Sequence, residues 1–365
     1  MKHRVLFILH LPPPVHGAAM VGKYIHDSRL INSVFDSKFI NLALAKDLDD
    51  IGKGGWTKLK NFVKRLIEIT RMVREEKPTL CYVTPNAKGG AFYKDFIVVI
   101  LLKFMGQRVV THYHNKGVIV RQDKLLDNLL YTRFFKHLQV ILLAEALYSD
   151  VSKYVARKDI SICPNGIPTS LNTGNFVRKN AMCINLLFLS NMMEAKGVWD
   201  LLEACRLLKE RNYTFQCHFV GKWSDIGQGV FKQIRIEKNI DDVTIAHGAK
   251  YDEEKEEYMQ QADIFILPTH DECFPLVLLE AMEYNLPCIS TNEGGISNII
   301  EEGCTGYIVE KKNPQALAEK IAYLIDHPEI RQAMGEAGRE KYLKEFTLER
   351  FEERMVEVLK NIIST

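Results

Sequence analysis

The stretch Pro268-Thr-His-Asp-Glu-Cys-Phe-Pro-Leu-Val-Leu-Leu-Glu-Ala-Met282 decides how this chain is read. It follows Asp263-Ile-Phe-Ile-Leu267, an apolar run of the kind that forms a strand buried on both faces. A polar loop then leads into Leu276 to Glu283, a run of good helix formers. The pattern is strand, loop, helix. It places Glu272 in the loop and Glu280 about a turn into the helix. Both carboxylates can then face the C-terminal edge of a parallel sheet, where open α/β folds bind ligands. An acidic pair beside a helix is by itself an ordinary surface feature. The stretches on either side give it meaning.

Upstream, Asn185-Leu-Leu-Phe-Leu189 reads as another strand, its loop Ser190-Asn-Met-Met-Glu-Ala-Lys-Gly197 entering a helix over 198–210. A lysine and a glycine at a helix start suit a diphosphate, through point charge, close backbone approach and dipole together. Phe215 to Val220 and Val243 to Gly248 add two strands. Downstream, Leu286-Pro-Cys-Ile-Ser-Thr291 is followed by Asn292-Glu-Gly-Gly-Ile-Ser-Asn298. The pair Gly294-Gly295 there is expected to leave amides free at a helix N-terminus. Cys304 to Val309 is a last strand, and Asn313-Pro314 caps the helix after it.

The first half repeats the theme with less signal. Val5 to Leu9 is strand-like and ends in Leu11-Pro-Pro-Pro-Val-His-Gly-Ala-Ala-Met20, a loop containing Gly17 that is followed by a helical pattern. The Gly-x-Gly-x-x-Gly of nicotinamide sites is absent. Gly106 to Thr111 leads to His112-Tyr-His114, which sets imidazoles at a strand's C-terminal end. Lys58 to Glu76 is an amphipathic helix with many basic positions, read either as a solvated face or as a contact for anionic headgroups. Phe96 to Leu102 is too short to span a bilayer and is expected to be a buried helix. The Thr-, Asn- and Gly-containing segment 169–180 is the candidate linker between two α/β domains.

Bulk properties exclude several classes. At 47% apolar and 26% charged residues, the 365-residue chain has the composition of a soluble globular protein of two ordinary domains. A net charge of +2 gives no global field for nucleic acid. Eight scattered cysteines without a Cys-x-x-Cys pair predict reduced thiols in a cytosolic compartment, and neither zinc nor disulfides. Asp47-Leu-Asp49 matches a divalent-cation pattern but lies in an acidic stretch with no strand before it, so it reads as a solvated loop.

Together, these residues resemble the retaining glycosyltransferases of family 4. The resemblance rests on Glu272-Cys-Phe-Pro-Leu-Val-Leu-Leu-Glu280, on Lys196-Gly197, on Leu286 to Thr291 with Gly294-Gly295, and on Gly303-x-Thr-Gly306. Pro164-Asn-Gly-Ile167 and His114-Asn-Lys-Gly117 agree with it in the first half. It implies a GT-B fold, two facing Rossmann-like domains with an interdomain cleft. The expected limits are an acceptor domain over 1–170, a nucleotide-sugar domain over 171–345, and a terminal helix over 346–365 packing back on the first domain. By the same resemblance, Glu280 contacts the donor ribose, Glu272 the sugar hydroxyls, Lys196 the diphosphate, Gly17 its distal phosphate, and His114 the sugar. Asn191, Gly197, Phe274, Pro275, Leu276, Gly294 and Gly295 complete the expected donor contacts, and Glu272, His114 and Lys196 are the expected catalytic residues.

One departure is plain. Asn191 stands where the family commonly has an arginine for the diphosphate, leaving Lys116 or Lys222 as substitutes. The expected chemistry is hexose transfer from a UDP- or GDP-linked sugar to a saccharide or lipid-linked acceptor, without metal or other cofactor, in surface polysaccharide or glycolipid synthesis. The expected place is the cytoplasm, at the inner face of the plasma membrane, in peripheral contact with anionic lipid. Two other readings stay open, an epimerase of the same fold and a non-catalytic nucleotide-sugar-binding subunit.

Overall fold

Apolar runs that alternate with helical segments fold here into two parallel sheets, one in each of two units. The structure is a computed structural model and describes residues 2–13, 17–42, 55–170 and 183–364, with the side chains of 55–58 set aside. The Asp47-Leu-Asp49 pattern, the Lys58 side chain, His16 and the linker from 171 onward lie outside the described residues. Unit one comprises Met1–Asn165 and Leu348–Thr365, and unit two Gly166–Thr347.

Unit one runs β1 (Arg4–Leu9), α1 (Gly17–Asp27), α2 (Arg29–Val34), β2 (Asp36–Asn41), α3 (Gly55–Glu76), β3 (Leu80–Val83), α4 (Gly89–Phe104), β4 (Val109–Tyr113), α5 (Leu125–Phe135), β5 (Gln139–Leu142), α6 (Tyr148–Val151) and β6 (Ile160–Ile162). Its strands lie in the order β2-β1-β3-β4-β5-β6, and every pairing is parallel. Right-handed crossovers then place α1 and α2 on one face and α3, α4 and α5 on the other. Val5 to Leu9 and Leu80 to Val83 are fully buried, as continuous apolar strands under helices on both faces must be. The sequence did not announce β2: Asp36-Ser-Lys-Phe-Ile-Asn41 is mostly half-exposed, as an edge strand allows.

The buried helix expected over 96–102 is instead half of α4, an outer helix. Val98, Val99 and Leu102 face the core, while Ile97 and Phe104 stand in solvent. A helix layered on a sheet buries only one stripe.

Unit two runs β7 (Ile184–Leu189), α7 (Val198–Glu210), β8 (Phe215–Val220), α8 (Gln228–Glu237), β9 (Thr244–Gly248), α9 (Asp252–Gln261), β10 (Ile264–Leu267), α10 (Leu276–Glu283), β11 (Cys288–Thr291), α11 (Ile296–Ile299), β12 (Gly306–Val309), α12 (Pro314–Asp326) and α13 (Pro328–Glu345). Strand order is β12-β11-β10-β7-β8-β9, again all parallel. The order reverses between β7 and β10, which pair through Ile264–Leu186 and Phe265–Leu187. The Asn313 side chain caps α12 by accepting from the Ala316 amide at 3.0 Å.

The last helix, α14 (Leu348–Ser364), belongs to unit one, where it packs on α2 through an apolar stripe that includes Phe351, Met355 and Leu359. Among the described residues, which include all eight cysteines, no disulfide forms, and six of the thiols are buried.

Candidate functional site

Strand order alone singles out one position in unit two. Where neighbouring crossovers depart to opposite sides, the loops leaving the two strands part and open a crevice at their carboxyl ends. Here those loops follow β7 and β10. The first carries Lys196 and the second Glu272. Their side chains form an ion pair, and the Lys196 ammonium also donates to the Asp271 carbonyl at 3.2 Å. Both are about four-fifths buried, so their charges interact in a medium well below the dielectric of water.

The Lys196 turn is held from several directions. Glu194–Lys196 is a single 3-10 turn, and Gly197 takes φ +75° to start α7. A Cβ on Gly197 would lie 2.0 Å from the Pro268 carbonyl oxygen, so only glycine permits this approach to the end of β10. The His270 amide donates to the Ala195 carbonyl at 2.8 Å, and the Thr269 hydroxyl donates to the same oxygen at 3.1 Å. His270 Nε2 lies 2.5 Å from the Asp200 carboxylate in the first turn of α7. Neither His270 nor Asp200 stood out from its neighbours in sequence. Their pairing joins the two loops that carry the charges.

Gly294 and Gly295 hold the Glu272 loop from the other side. The Gly295 amide donates to the Cys273 carbonyl at 2.7 Å, so it is engaged and not free as the sequence led one to expect. Gly294 takes φ +55°, and a Cβ there would meet the Glu272 and Cys273 carbonyl oxygens at 2.4 and 2.5 Å. The need for glycine is therefore steric. Phe274 is buried beside this loop, Pro275 precedes α10, and Leu276 opens it.

Glu280, the fifth residue of α10, is paired with Lys255 in the first turn of α9 at 2.9 Å. Lys255 was another residue the sequence did not flag, because it lies in the charged run Asp252-Glu-Glu-Lys-Glu-Glu257. Asn191 follows β7 and is exposed, as is Lys222.

Gly17 and His114 lie in unit one, at the carboxyl edge of its own sheet. Gly17 begins α1 in open space. His114 follows β4, its ring 4.2 Å from that of the buried His112, whose Nδ1 meets the Tyr82 hydroxyl at 2.7 Å. Burial holds the His112 imidazole well below its ordinary pKa, and therefore neutral. The loop after His114 is anchored by Asp150, whose carboxylate accepts from the amides of Gly117, Val118 and Ile119 at 2.9, 3.2 and 3.0 Å. Among the described residues no group of three or more His, Cys, Asp or Glu is placed to hold a metal ion.

With this geometry in place, comparison with known proteins is specific. Residues 176–341 match the family described as Glycosyl transferases group 1. This stretch is a glycosyl transferases group 1 domain. The group 1 domain contains Lys196, Glu272, Glu280 and the glycine pair. The chain is 25% identical over 269 residues to WcaL of Salmonella typhimurium, a glycosyltransferase named for colanic acid biosynthesis, covering 70% of this chain and 64% of that protein. It is 31% identical over 141 residues to the amylovoran biosynthesis glycosyltransferase AmsK of Erwinia amylovora, covering 37% of this chain and 34% of that one. Each match spans less than two thirds of the relative's length. In fold, the chain resembles the crystal structure of Anabaena HepE in complex with UDP and glucose, with a TM-score of 0.72, 15% identity, and coverage of 98% and 100%. The fold is that of the GT-B glycosyltransferases, with the group 1 domain as the second of two parallel α/β units.

Proposed function

We propose that the chain is a retaining glycosyltransferase that moves a hexose from a UDP- or GDP-linked sugar to a hydroxyl acceptor in bacterial surface polysaccharide or glycolipid synthesis. The observation that carries this reading is the meeting of Lys196, the start of α7 and Glu272 at the β7/β10 switch point of the group 1 domain. Names of relatives, WcaL and AmsK, support the polysaccharide setting. The UDP and glucose held by HepE support the donor class.

In this reading the bond between the sugar C1 and the distal phosphate oxygen breaks. The acceptor oxygen bonds to C1 on the same face, and its proton passes to the departing phosphate oxygen. Negative charge grows on the diphosphate as the bond breaks. A fixed ammonium and helix-end dipoles stabilise that charge without reorganising. Lys196 then exchanges the Glu272 carboxylate for diphosphate oxygens, and Glu272 turns to the sugar hydroxyls. Glu280 accepts from the ribose, and His114 and Gly17 serve the sugar and distal phosphate from unit one. The acceptor is held by unit one, and the reaction runs in the cytoplasm without a metal.

The test begins with a panel of nucleoside diphosphates in thermal-shift measurements, since a bound ligand raises apparent stability by mass action. UDP or GDP should raise Tm, and the matching nucleotide sugar should then yield an acceptor glycoside with the anomeric configuration of the donor. No shift with any nucleoside diphosphate would remove the donor assignment. Sugar product formed without an acceptor would replace transfer by epimerisation, and binding without any turnover would leave a nucleotide-sugar-binding subunit.

A further inference from the structure

The basic helix noticed in the sequence is one part of a wider surface. Sixteen large apolar side chains are exposed among the described residues, and ten of them fall between Leu59 and Leu129. Scattered exposed apolar residues are ordinary, but a cluster of this kind marks an interaction site. Its most exposed members are Leu125 at 90%, Phe104 at 89%, Val120 at 67% and Ile67 at 63%.

Eight of the ten lie in the α3, α4 and α5 helices, and Ile119 and Val120 lie in the turn that leads into α5. The α3, α4 and α5 helices follow crossovers of one direction and so cover the same face of the sheet. Tyr93 in α4 donates to Asp127 in α5 at 2.7 Å near their starts. The Lys103 ammonium donates to the Phe134 and Lys136 carbonyls at 2.5 and 2.7 Å near their ends. A groove of about 640 Å³ joins α3 to α4, lined by Val63, Leu66 and Ile67 on one side and Leu101 on the other.

Charge follows the same boundary. Residues 59–136 hold fifteen Lys and Arg against six Asp and Glu, a net +9 in a chain whose total is +2. The remainder is therefore −7. Lys60, Lys64, Arg71 and Arg74 are exposed along α3 among the apolar side chains. A surface that is both apolar and strongly cationic matches one partner chemistry, the headgroup and upper acyl region of an anionic bilayer. A second copy meeting it face to face would set like charge against like. Among the described residues no helix is long and apolar enough to cross a membrane, so the contact would lie along the surface.

We propose that the outer face of the α3–α4–α5 layer docks on an anionic lipid surface, with Phe104 and Leu125 entering the interface and the α3 cations binding headgroups. The proposal does not depend on the transferase reading, because its readout is binding. The full chain is sedimented with vesicles of phosphatidylglycerol and phosphatidylcholine, and with phosphatidylcholine alone. Binding to the anionic vesicles is expected to be at least about tenfold stronger and to weaken with added salt. The double variant Phe104→Ser/Leu125→Ser, and separately Lys60→Glu/Lys64→Glu, should each lower it by about tenfold or more. Val230→Ser/Lys232→Glu in unit two should leave it unchanged. All these positions are exposed, and an unaltered Tm shows that the variants are folded. Failure of the unaltered chain to bind anionic vesicles overturns the proposal. So does equal binding by the layer variants, or light scattering that shows the layer holds a second copy.

Discussion

The Lys255 ammonium stands 2.9 Å from the Glu280 carboxylate, so that two helices leaving different strands share one ion pair at the edge where the nucleotide is proposed to bind. Removing the lysine leaves a three-quarters-buried carboxylate with its favoured partner gone. Lys255→Ala should raise the donor KM by about three- to tenfold and change kcat by no more than about twofold, because ribose binding is shared by ground and transition states. Steady-state kinetics with varied donor checks this. A fall in kcat at constant KM would place Lys255 nearer the leaving group than to the ribose.

Lys196 has the opposite expected signature. Its charge is needed most when the diphosphate departs, so Lys196→Ala should lower kcat by about a hundredfold or more, with a smaller effect on donor KM. Lys196→Arg keeps the charge but not its point geometry and should lose less. Turnover of Lys196→Ala equal to that of the unaltered chain would remove the residue from the chemistry.

The glycine requirement at Gly197 is open to a direct stability test. Gly197→Ala combines φ +75° with a Cβ 2.0 Å from the Pro268 carbonyl oxygen, so backbone must move. A loss of about 2–4 kcal/mol is expected. Gly229→Ala in α8, where a Cβ meets nothing within 4 Å, should be neutral or mildly stabilising. Denaturant titration of the two variants measures the contrast, and equal stability would mean that the Lys196 turn is softer than described.

Asp150 offers a test in unit one. Its buried carboxylate is the shared acceptor of three backbone amides after His114. Asp150→Ala leaves those donors without an acceptor, at a cost of about 3 kcal/mol or more. Thermal unfolding should show this, together with a loss of turnover as the His114 loop loosens. Unchanged stability would show that water replaces the carboxylate at little cost.

Glu283 links stability to pH. It closes α10 and accepts from the Ser170 amide, and burial, helped by the nearby Glu280 charge, raises its pKa from 4.5 to about 7. The folded chain therefore holds a proton that the unfolded chain has released between those two values. Stability from this group is greatest at or below the lower value and is lost as pH rises through the upper one. Glu283→Gln keeps an acceptor for Ser170 and removes the titration. Its Tm should exceed that of the unaltered chain above neutrality, by an amount reflecting roughly 1–3 kcal/mol, with the difference fading toward pH 5. A difference independent of pH would assign the effect to packing.

Much of unit two was legible in the sequence because its strands are continuous apolar runs and its loops carry residues with few alternatives. Lys196-Gly197 and Glu272 to Glu280 fell where strand, loop and helix put them. The partners of those residues were not legible. Lys255 and Asp200 sit in ordinary helical charge patterns, and His270 in a polar loop, so nothing local separates them from solvated side chains. Their meaning comes from strand order, which brings the loop after β7 against the loop after β10 across about 75 residues of chain. Periodicity also misplaced Phe96 to Leu102, because it counts apolar residues without telling which face a layered helix leaves uncovered.

The discontinuity of unit one has a consequence for biosynthesis. Its chain departs at Asn165 and rejoins only at Leu348, so α14 leaves the ribosome after every residue of unit two. Unit two is contiguous and can complete its sheet while the apolar stripe of α2 still waits for its cover. The unit begun first is thus the unit finished last. A nascent chain stalled before Leu348 would present to chaperones a contiguous unit two beside a unit one that still lacks α14.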